Sequence, residues 1–263
     1  EPRPGAPAGG SLVVPAARLE VLVDEGDLTF SPCVEAAVDE LWAKKQQELP
    51  DIFDGTVWAL AAFEDASGPS RVALQLNRTS FRYMLFARHL ARLQKEPDEE
   101  GQKLVESINS IGVGAVVFTA EGKVCLGRRT PSTPVAPGMW CYPGGILDVP
   151  DPERLMLREL HEELGVPPDA VTAIKFAGLW DTGELHGWSP CVVFVAQLVV
   201  TAQALEEDLW PCASDNSEHT ALAFIDAADP CEALRRLEAE SGAQVMPFAR
   251  NVIECYARDA LEW

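Results

Sequence analysis

Hydrophobic and polar positions follow two different periods along the first hundred residues. Apolar residues at every second position predict strands, whereas apolar residues three and four positions apart predict helices. The predicted elements are strands at residues 11–23, 56–63 and 71–77 and helices at residues 33–48 and 80–94. A polar segment with helix-breaking residues, Glu96–Gly101, follows them. The pattern therefore predicts an α+β region over residues 11–104, preceded by a flexible Pro/Gly/Ala-rich arm at residues 1–10.

The pattern changes over residues 105–263, where strands alternate with helices. Strands are predicted at residues 113–119, 123–126, 174–180, 191–200 and 222–225, and helices at residues 230–241 and 246–260. The nearly unbroken apolar run at 191–200 is typical of a central strand buried on both faces, and the acidic residues 203–217 are predicted to form a loop. This order predicts an α/β fold, with a mixed sheet between helices. The α+β region is expected to pack against it as a smaller N-terminal extension.

One further helix is predicted between these strands, and its two ends are well marked. Asp151 is suited to the N-cap position, and Pro152 has the fixed φ of a first helical residue. Gly165 lies where a left-handed residue commonly ends a helix. The leucines of this segment gather on one arc, which predicts a buried face.

Three glutamates lie beside that apolar arc. At about 100° per residue, Glu159, Glu162 and Glu163 share one side of the helix. Carboxylates placed so close together repel one another unless a cation lies among them. Hard divalent ions such as Mg²⁺ bind oxygen ligands and are commonly shared with substrate phosphates. The helix is therefore predicted to hold a metal ion.

Composition limits the partners of such a site. The chain has 41 acidic and 21 basic residues, a formal net charge of −20, and an ordinary hydrophobic content of 47%. A surface of this charge repels phosphate backbones and anionic lipids, so general nucleic-acid binding is not expected. No apolar run approaches the roughly 18–20 residues that cross a bilayer. We therefore expect a soluble protein without a membrane span.

The seven cysteines are scattered and include no C-x-x-C pair. This arrangement argues against a zinc site and against a disulfide framework. The chain is therefore expected in a reducing compartment, either the cytoplasm or an organelle matrix.

Residues 144–166 resemble the Nudix box, G-x5-E-x7-R-E-U-x-E-E-x-G-U, in which U is an aliphatic residue. The second half is matched at every defined position, because Arg158–Val166 reads Arg-Glu-Leu-His-Glu-Glu-Leu-Gly-Val. Four charged positions, a glycine and two aliphatic residues at fixed spacing rarely coincide by chance. The resemblance covers about residues 110–263 and implies the Nudix α/β/α sandwich.

The first half of the box departs from the pattern. Pro150 stands where the family has its first glutamate. In the family that glutamate chiefly braces the arginine of the box, whereas the metal binds the later glutamates. The resemblance therefore implies that another acid, Asp151 or Asp148, braces Arg158.

The resemblance also implies roles for individual side chains. Mg²⁺ or Mn²⁺ would be bound by Glu159, Glu162 and Glu163. The catalytic carboxylates would be Glu159, Glu163 and a late loop acid, either Glu218 or, as second choice, Asp215; a solvated loop acid is an equally good interpretation of each. The substrate would be contacted by Arg128, Arg129, Gly144 and Gly145. Apart from the resemblance, His161 is expected at the surface, and His186 and His219 lie in loops that could reach the site, although loop histidines are more commonly exposed. Trp140, Trp180 and Trp188 could stack a base or line a cleft, although a buried tryptophan more commonly belongs to the core.

Short motifs in the N-terminal region resemble, in the same order, those of a plant and animal Nudix subgroup that includes a UDP-sugar diphosphatase. They are Leu41-Trp42, Ile52–Gly55, Val72–Leu76 and Thr79–Tyr83. The resemblance implies a metal-dependent hydrolase that cleaves the diphosphate bond of a nucleotide sugar such as UDP-glucose, to a nucleoside monophosphate and a sugar phosphate. The alternative, motivated by the irregular loop at Pro150, is a Nudix-fold binding or structural subunit of a larger assembly. Three intact glutamates favour the enzyme.

Overall fold

The computed structural model describes residues 12–15, 18–50, 52–66, 71–92, 108, 110–133, 136–182 and 189–257. The predicted arm at residues 1–10, the segment Glu96–Gly101 and the predicted boundary between residues 104 and 105 lie outside this part of the chain. His186 and Trp188 lie outside it as well.

The described strands form two sheets, and most of them match the predicted ranges. They are β1 (Leu12–Pro15), β2 (Arg18–Asp27), β3 (Thr56–Ala66), β4 (Arg71–Ser80), β5 (Gly112–Phe118), β6 (Lys123–Arg129), β7 (Trp140–Cys141), β8 (Val171–Asp181), β9 (Pro190–Leu198) and β10 (His219–Asp226). The larger sheet has the order β1-β8-β9-β5-β6-β10, with β7 paired to β6. Because β5 and β9 are parallel while the other pairs are antiparallel, the sheet is mixed. The apolar strand β9 lies in its interior, as predicted.

The helices are α1 (Pro32–Glu48), α2 (Phe81–Arg92), α3 (Pro152–Leu164), α4 (Pro230–Ser241) and α5 (Pro247–Tyr256). Helix α3 covers one face of the larger sheet and α4 and α5 cover the other, whereas α1 and α2 share a separate core with β3. Leucines of α3 share a core with the residues of β5 and β9 that face one side of the sheet. The residues of these strands that face the other side share a second core with apolar residues of α4 and α5. The predicted α/β/α sandwich is therefore confirmed.

The N-terminal sheet, ordered β2-β4-β3, packs into the same core as α3. Leu74 and Leu76 of β4 are fully buried there. The backbone N–H of Trp58 in β3 donates to the carbonyl of Leu147 over 2.7 Å. The N-terminal extension is thus hydrogen-bonded directly to the loop that precedes α3. None of the helices in the described ranges is long and apolar enough to cross a membrane.

The region predicted as an acidic loop is the main error in the predicted elements. Residues 202–212 form consecutive helical turns, and a further 3-10 turn covers residues 216–218. The Thr201 side chain accepts a hydrogen bond from the N–H of Ala204, and Leu205 is fully buried while Glu206 and Glu207 are exposed. These turns are amphipathic over too few residues to give a clear helical period. The next strand, predicted at 222–225, begins earlier, at His219.

Candidate active site

The glycine loop before α3, which contains Gly144 and Gly145, is held by backbone hydrogen bonds to strand β5. The N–H of Val113 donates to the carbonyl of Gly145 over 2.9 Å, and the N–H of Gly145 donates to the carbonyl of Val113 over 3.1 Å. A Cβ on Gly144 would lie 2.2 Å from that same Val113 carbonyl oxygen. A Cβ on Gly145 would lie 2.5 Å from an oxygen of Glu159. A side chain at Gly144 would therefore collide with backbone that cannot rotate away, whereas a side chain at Gly145 would have to displace the carboxylate of Glu159.

Helix α3 begins and ends as its sequence predicts. The carboxylate of Asp151 accepts a hydrogen bond from the N–H of Arg154 over 3.0 Å, and Pro152 is the first helical residue. Gly165 ends the helix with φ 71° and ψ 11°, and its N–H donates to the carbonyl of His161. The caps fix where the helix begins and ends, and burial of its apolar face, including Leu160 and Leu164, brings the glutamates to the edge of the core.

The three glutamates of α3 differ in burial. Glu163 is only 2% exposed, whereas the side chain of Glu162 is 42% exposed. Glu159 lies between these extremes, and its pKa is raised to about 8. Burial is the main cause of that shift, and the nearby carboxylate of Glu163 adds to it, followed by Glu162 and Glu218, while Arg158 opposes it. The four carboxylates predicted to act together are thus brought close enough to repel one another.

A divalent cation fits the chemistry of this cluster. The side chains offer hard oxygen donors, and the repulsion that raises the pKa of Glu159 is what a bound cation relieves. In the part of the chain that the structure describes, no group of three or more His, Cys, Asp or Glu side chains is already arranged around one metal position. Mg²⁺ commonly takes only one or two protein carboxylates and completes its coordination with water and substrate phosphates, so the cluster remains compatible with a site of that kind.

The late acid Glu218 faces the same cluster. Its pKa is raised by burial and by the carboxylate of Glu163, and Arg129 partly offsets both effects. The Arg129 Nη1 lies 3.8 Å from an oxygen of Glu218. Asp215, the other candidate, is exposed and accepts a hydrogen bond from Ser217. Glu218 is therefore the better placed of the two late acids.

The two predicted substrate-binding arginines have different contacts. The backbone N–H of Arg129 donates to Met139, and its side chain approaches Glu218. The Nε of Arg128 donates to the carbonyl of Gly138 over 3.3 Å, at the loop that precedes β7. Successive residues of a strand face opposite sides of the sheet, so the structure brings Arg129 to the carboxylates and turns Arg128 towards that loop.

The ion pair that braces Arg158 is formed by Asp148. Its Oδ1 lies 2.5 Å from Nη2 of Arg158, whose guanidinium also lies 3.8 Å from Glu159 and 3.7 Å from Glu162. Asp151, the other candidate partner of Arg158, is instead the N-cap of α3. An acid from a different position than the family's first glutamate thus pairs with the arginine and holds its guanidinium beside two of the glutamates.

The two aspartates are expected to respond differently to replacement by alanine. Asp148→Ala should lower kcat about tenfold, because a partner that orients active-site ligands is lost, and should cost less than about 1 kcal/mol of stability, because the pair is partly exposed. Asp151→Ala should cost about 1 kcal/mol of stability as a lost N-cap and leave kcat unchanged. Urea unfolding and steady-state kinetics of both variants measure this contrast. Equal kinetic effects would contradict it.

A further residue of the site, His219, was expected at the surface and is buried instead. Its Nε2 lies 3.2 Å from Oε2 of Glu163. The expectation was wrong because the strand β10 begins three residues earlier than its apolar pattern indicates and carries His219 under the helix. The available signal was Gly127 in the facing strand, since a glycine inside a strand often marks a close approach. His161 is exposed and Trp140 and Trp180 are buried, as predicted.

The chain is similar to a known protein family and to several known proteins. A sequence profile described as NUDIX domain matches residues 109–248. The chain is 24% identical over 257 residues to the uridine diphosphate glucose pyrophosphatase NUDT22 of Mus musculus, which covers 86% of this chain and 81% of that protein. It is 47% identical over 58 residues to the RNA pyrophosphohydrolase of Gluconacetobacter diazotrophicus, 20% of this chain and 35% of that protein. The NUDIX domain of Shewanella oneidensis NrtR complexed with ADP ribose aligns with 20% identity and a TM-score of 0.40, over 66% of this chain and 97% of that one.

Proposed function

The chain belongs to the Nudix family, because the family profile matches more than half of its 263 residues, and we propose that it is a metal-dependent enzyme. The proposed reaction is the cleavage of nucleotide sugars with the help of Mg²⁺ or Mn²⁺. The chain is a Nudix pyrophosphohydrolase. The single observation that carries the metal-dependent reaction is the carboxylate cluster of Glu159, Glu162, Glu163 and Glu218, in which burial and, after it, repulsion from the other carboxylates raise the pKa of Glu159 to about 8. A binding subunit would have no use for such a cluster.

The substrate class is supported by the extent of the similarity. The likeness to the murine uridine diphosphate glucose pyrophosphatase runs over 86% of this chain and therefore includes the N-terminal extension. The likeness to the bacterial RNA pyrophosphohydrolase covers 20% of this chain. The net charge of −20 also disfavours a long polyanion such as RNA as substrate. A nucleotide sugar such as UDP-glucose, with a single diphosphate, fits both observations.

The reaction consumes one water. Its oxygen forms a bond to one phosphorus of the diphosphate, the bond from that phosphorus to the bridging oxygen breaks, and the other phosphate leaves with the bridging oxygen. The products are a nucleoside monophosphate and a sugar phosphate, here UMP and glucose 1-phosphate. A divalent ion bound by Glu159, Glu162 and Glu163 would neutralise the diphosphate and acidify the attacking water.

The side chains of this chain supply the remaining steps. Glu218 accepts the proton of the water, because its raised pKa makes it a stronger base than an exposed glutamate. Arg129, 3.8 Å from Glu218, contacts a phosphate oxygen of the substrate. Arg158, held by Asp148, keeps Glu159 and Glu162 in place. The backbone of Gly144 and Gly145 forms the wall of the site, where a side chain would displace Val113 or Glu159.

A substrate panel tests this proposal. The purified protein should hydrolyse UDP-glucose in the presence of Mg²⁺ or Mn²⁺ faster than it hydrolyses dinucleotides or nucleoside triphosphates, with products resolved by anion-exchange chromatography. Glu162→Gln should reduce the rate, since this substitution removes a metal ligand at an exposed position where folding is unaffected. Incubation in ¹⁸O-labelled water, followed by mass spectrometry of the products, identifies the phosphorus that is attacked.

Two results would contradict the proposal in different ways. Faster turnover of a substrate other than a nucleotide sugar would correct the substrate class. No turnover of any substrate, together with a stable partner complex on purification, would favour a binding or structural subunit.

We also infer a reducing compartment, the cytoplasm or an organelle matrix, because all seven cysteines lie within the described residues and are free. Nucleic-acid partners are not expected, because the net charge of the chain is −20.

A further inference from the structure

A buried hydrogen bond joins strand β10 to the catalytic helix α3. The Nε2 of His219 lies 3.2 Å from Oε2 of Glu163, and the two side chains are 1% and 3% exposed. A polar pair buried this completely loses its contacts with water, so each group depends on the other for a hydrogen-bond partner. The bond therefore fixes the position of Glu163 within the carboxylate cluster.

Both donors to Glu163 bind the same oxygen. The N–H of Gly144 donates to Oε2 over 3.3 Å, and His219 approaches the same atom. Among the described residues, no hydrogen bond reaches Oε1 of Glu163. The carboxylate is thus anchored by one oxygen from two sides, which leaves the other oxygen directed away from the anchors and available to a ligand.

The surroundings of the imidazole decide which nitrogen carries its proton. Nδ1 of His219 is buried and makes no hydrogen bond with any residue that the structure describes. A proton on Nδ1 would be a buried donor without an acceptor, and Nε2 would then face the Glu163 oxygen with its lone pair. The tautomer protonated on Nε2 avoids both penalties and donates to the carboxylate. His219 therefore serves as a hydrogen-bond donor.

The neighbouring strand is shaped for this ring. A Cβ on Gly127 of β6 would lie 2.5 Å from Nδ1 of His219 and 2.7 Å from two ring carbons. The pairing of β10 with β6 shifts its register between His219 and Ala221, and irregularities of this kind redirect side chains at sheet ends. A glycine in one strand and an irregular register in the other together make room for an imidazole beneath Glu163.

We propose that His219 is a positioning residue for catalysis. Through its Nε2–H, together with the N–H of Gly144, it holds Oε2 of Glu163, which leaves Oε1 as the oxygen that would bind a metal ion. It touches neither substrate nor metal. The inference rests on the proposed function for its effect on turnover, whereas its effect on metal affinity follows from the geometry of Glu163 alone.

Two substitutions separate the donor from the bulk of the ring. In His219→Gln the amide nitrogen lies near the position of Nε2 and retains an N–H donor, whereas His219→Met has a similar length and no donor. His219→Met should weaken Mn²⁺ binding about 10–100-fold, as does the loss of other hydrogen-bond partners of metal ligands, and should lower kcat more than it changes KM. His219→Gln should recover most of both losses. Electron paramagnetic resonance of free Mn²⁺ measures the affinity without substrate.

His161→Met is the matched control, because His161 is exposed on α3, the helix that carries Glu163. It should leave Mn²⁺ affinity and kcat unchanged. If His219→Met does not fold, Gly127→Ala provides the same test, since it displaces the imidazole without removing any polar group. In that case weakened Mn²⁺ binding by folded Gly127→Ala is the supporting result, and unchanged binding overturns the proposal.

The outcomes distinguish this inference from the proposed function. Wild-type Mn²⁺ affinity in folded His219→Met, or a loss in His219→Gln as large as that in His219→Met, would overturn the role of His219. Wild-type protein that binds Mn²⁺ and hydrolyses no nucleotide sugar would overturn the substrate class, while the Mn²⁺ comparison would still decide the role of His219. Wild-type protein that binds no Mn²⁺ would overturn both.

Discussion

Replacing Glu163 with glutamine should lower kcat by about 10²–10⁴-fold, the range that removal of an essential catalytic carboxylate typically produces. Glutamine has almost the same shape, and its carbonyl oxygen can still accept the hydrogen bonds from Gly144 and His219. Only the negative charge and one metal-binding oxygen of Glu163 are lost. Because Glu163 is buried beside Glu159 and raises its pKa, removal of the charge also relieves repulsion within the folded protein. The variant should therefore remain folded and be no less stable than the wild type.

Glu153→Gln is the control for this prediction. Glu153 lies in the first turn of the same helix and is exposed, so the same chemical change there should leave kcat unchanged and cost at most about 1 kcal/mol of stability through the helix dipole. Steady-state kinetics with UDP-glucose and Mg²⁺, together with thermal unfolding followed by circular dichroism, give both quantities. A folded Glu163→Gln protein with more than a tenth of the wild-type kcat would exclude an essential role for this carboxylate.

The parts of the site that the sequence predicts are those encoded by neighbouring residues. The N-cap at Asp151, the first-turn Pro152 and the terminal Gly165 all lie within one segment, and together with the apolar period they define helix α3. Once the helix is defined, its geometry places the three glutamates along one edge. Local signals were therefore sufficient for the acidic helix, and the resemblance to the Nudix box added only its chemical role.

The parts that were not predicted depend on contacts between distant segments. Nothing near His219 in the sequence indicates that it lies under Glu163, 56 residues away. The choice between Asp148 and Asp151 as partner of Arg158 depends on the path of the loop, and the backbone of that loop is held by Trp58 from the N-terminal sheet. Both outcomes follow from tertiary packing, which periodicity and helix capping do not specify.

The second large effect is expected at Gly165, the residue that ends helix α3. Gly165→Ala should lower the free energy of unfolding by about 2–5 kcal/mol. Two energetic penalties contribute to this loss of stability. A residue with a side chain pays about 1–2 kcal/mol to adopt the left-handed conformation that Gly165 has at φ 71°. Its Cβ would also lie 2.2 Å from the carbonyl oxygen of Leu209, a backbone atom that cannot rotate away, and such overpacking typically costs about 1–3 kcal/mol.

Gly242 provides a matched comparison, because it ends helix α4 in nearly the same conformation, with φ 65° and ψ 13°. A Cβ on Gly242 would have no neighbouring atom within 4 Å. Gly242→Ala should therefore lose only the conformational part, about 1–2 kcal/mol, and retain full activity. Urea unfolding of both variants, with unchanged m values, measures the difference directly. Equal losses of stability would show that the segment containing Leu209 yields to the new methyl group.

The effect of Gly165→Ala on activity follows from the position of that contact. Gly165 directly follows the last turn of α3, which carries Glu162 and Glu163, and the N–H of Asp215 donates to the carbonyl of Glu162 over 2.8 Å. Relief of the clash at Leu209 must move the helix end or the 202–212 turns, and either movement displaces Glu162 and Glu163 relative to Glu218. Folded Gly165→Ala protein should thus have a lower kcat than Gly242→Ala protein. If both variants have the wild-type kcat, the carboxylate geometry does not depend on how this helix ends.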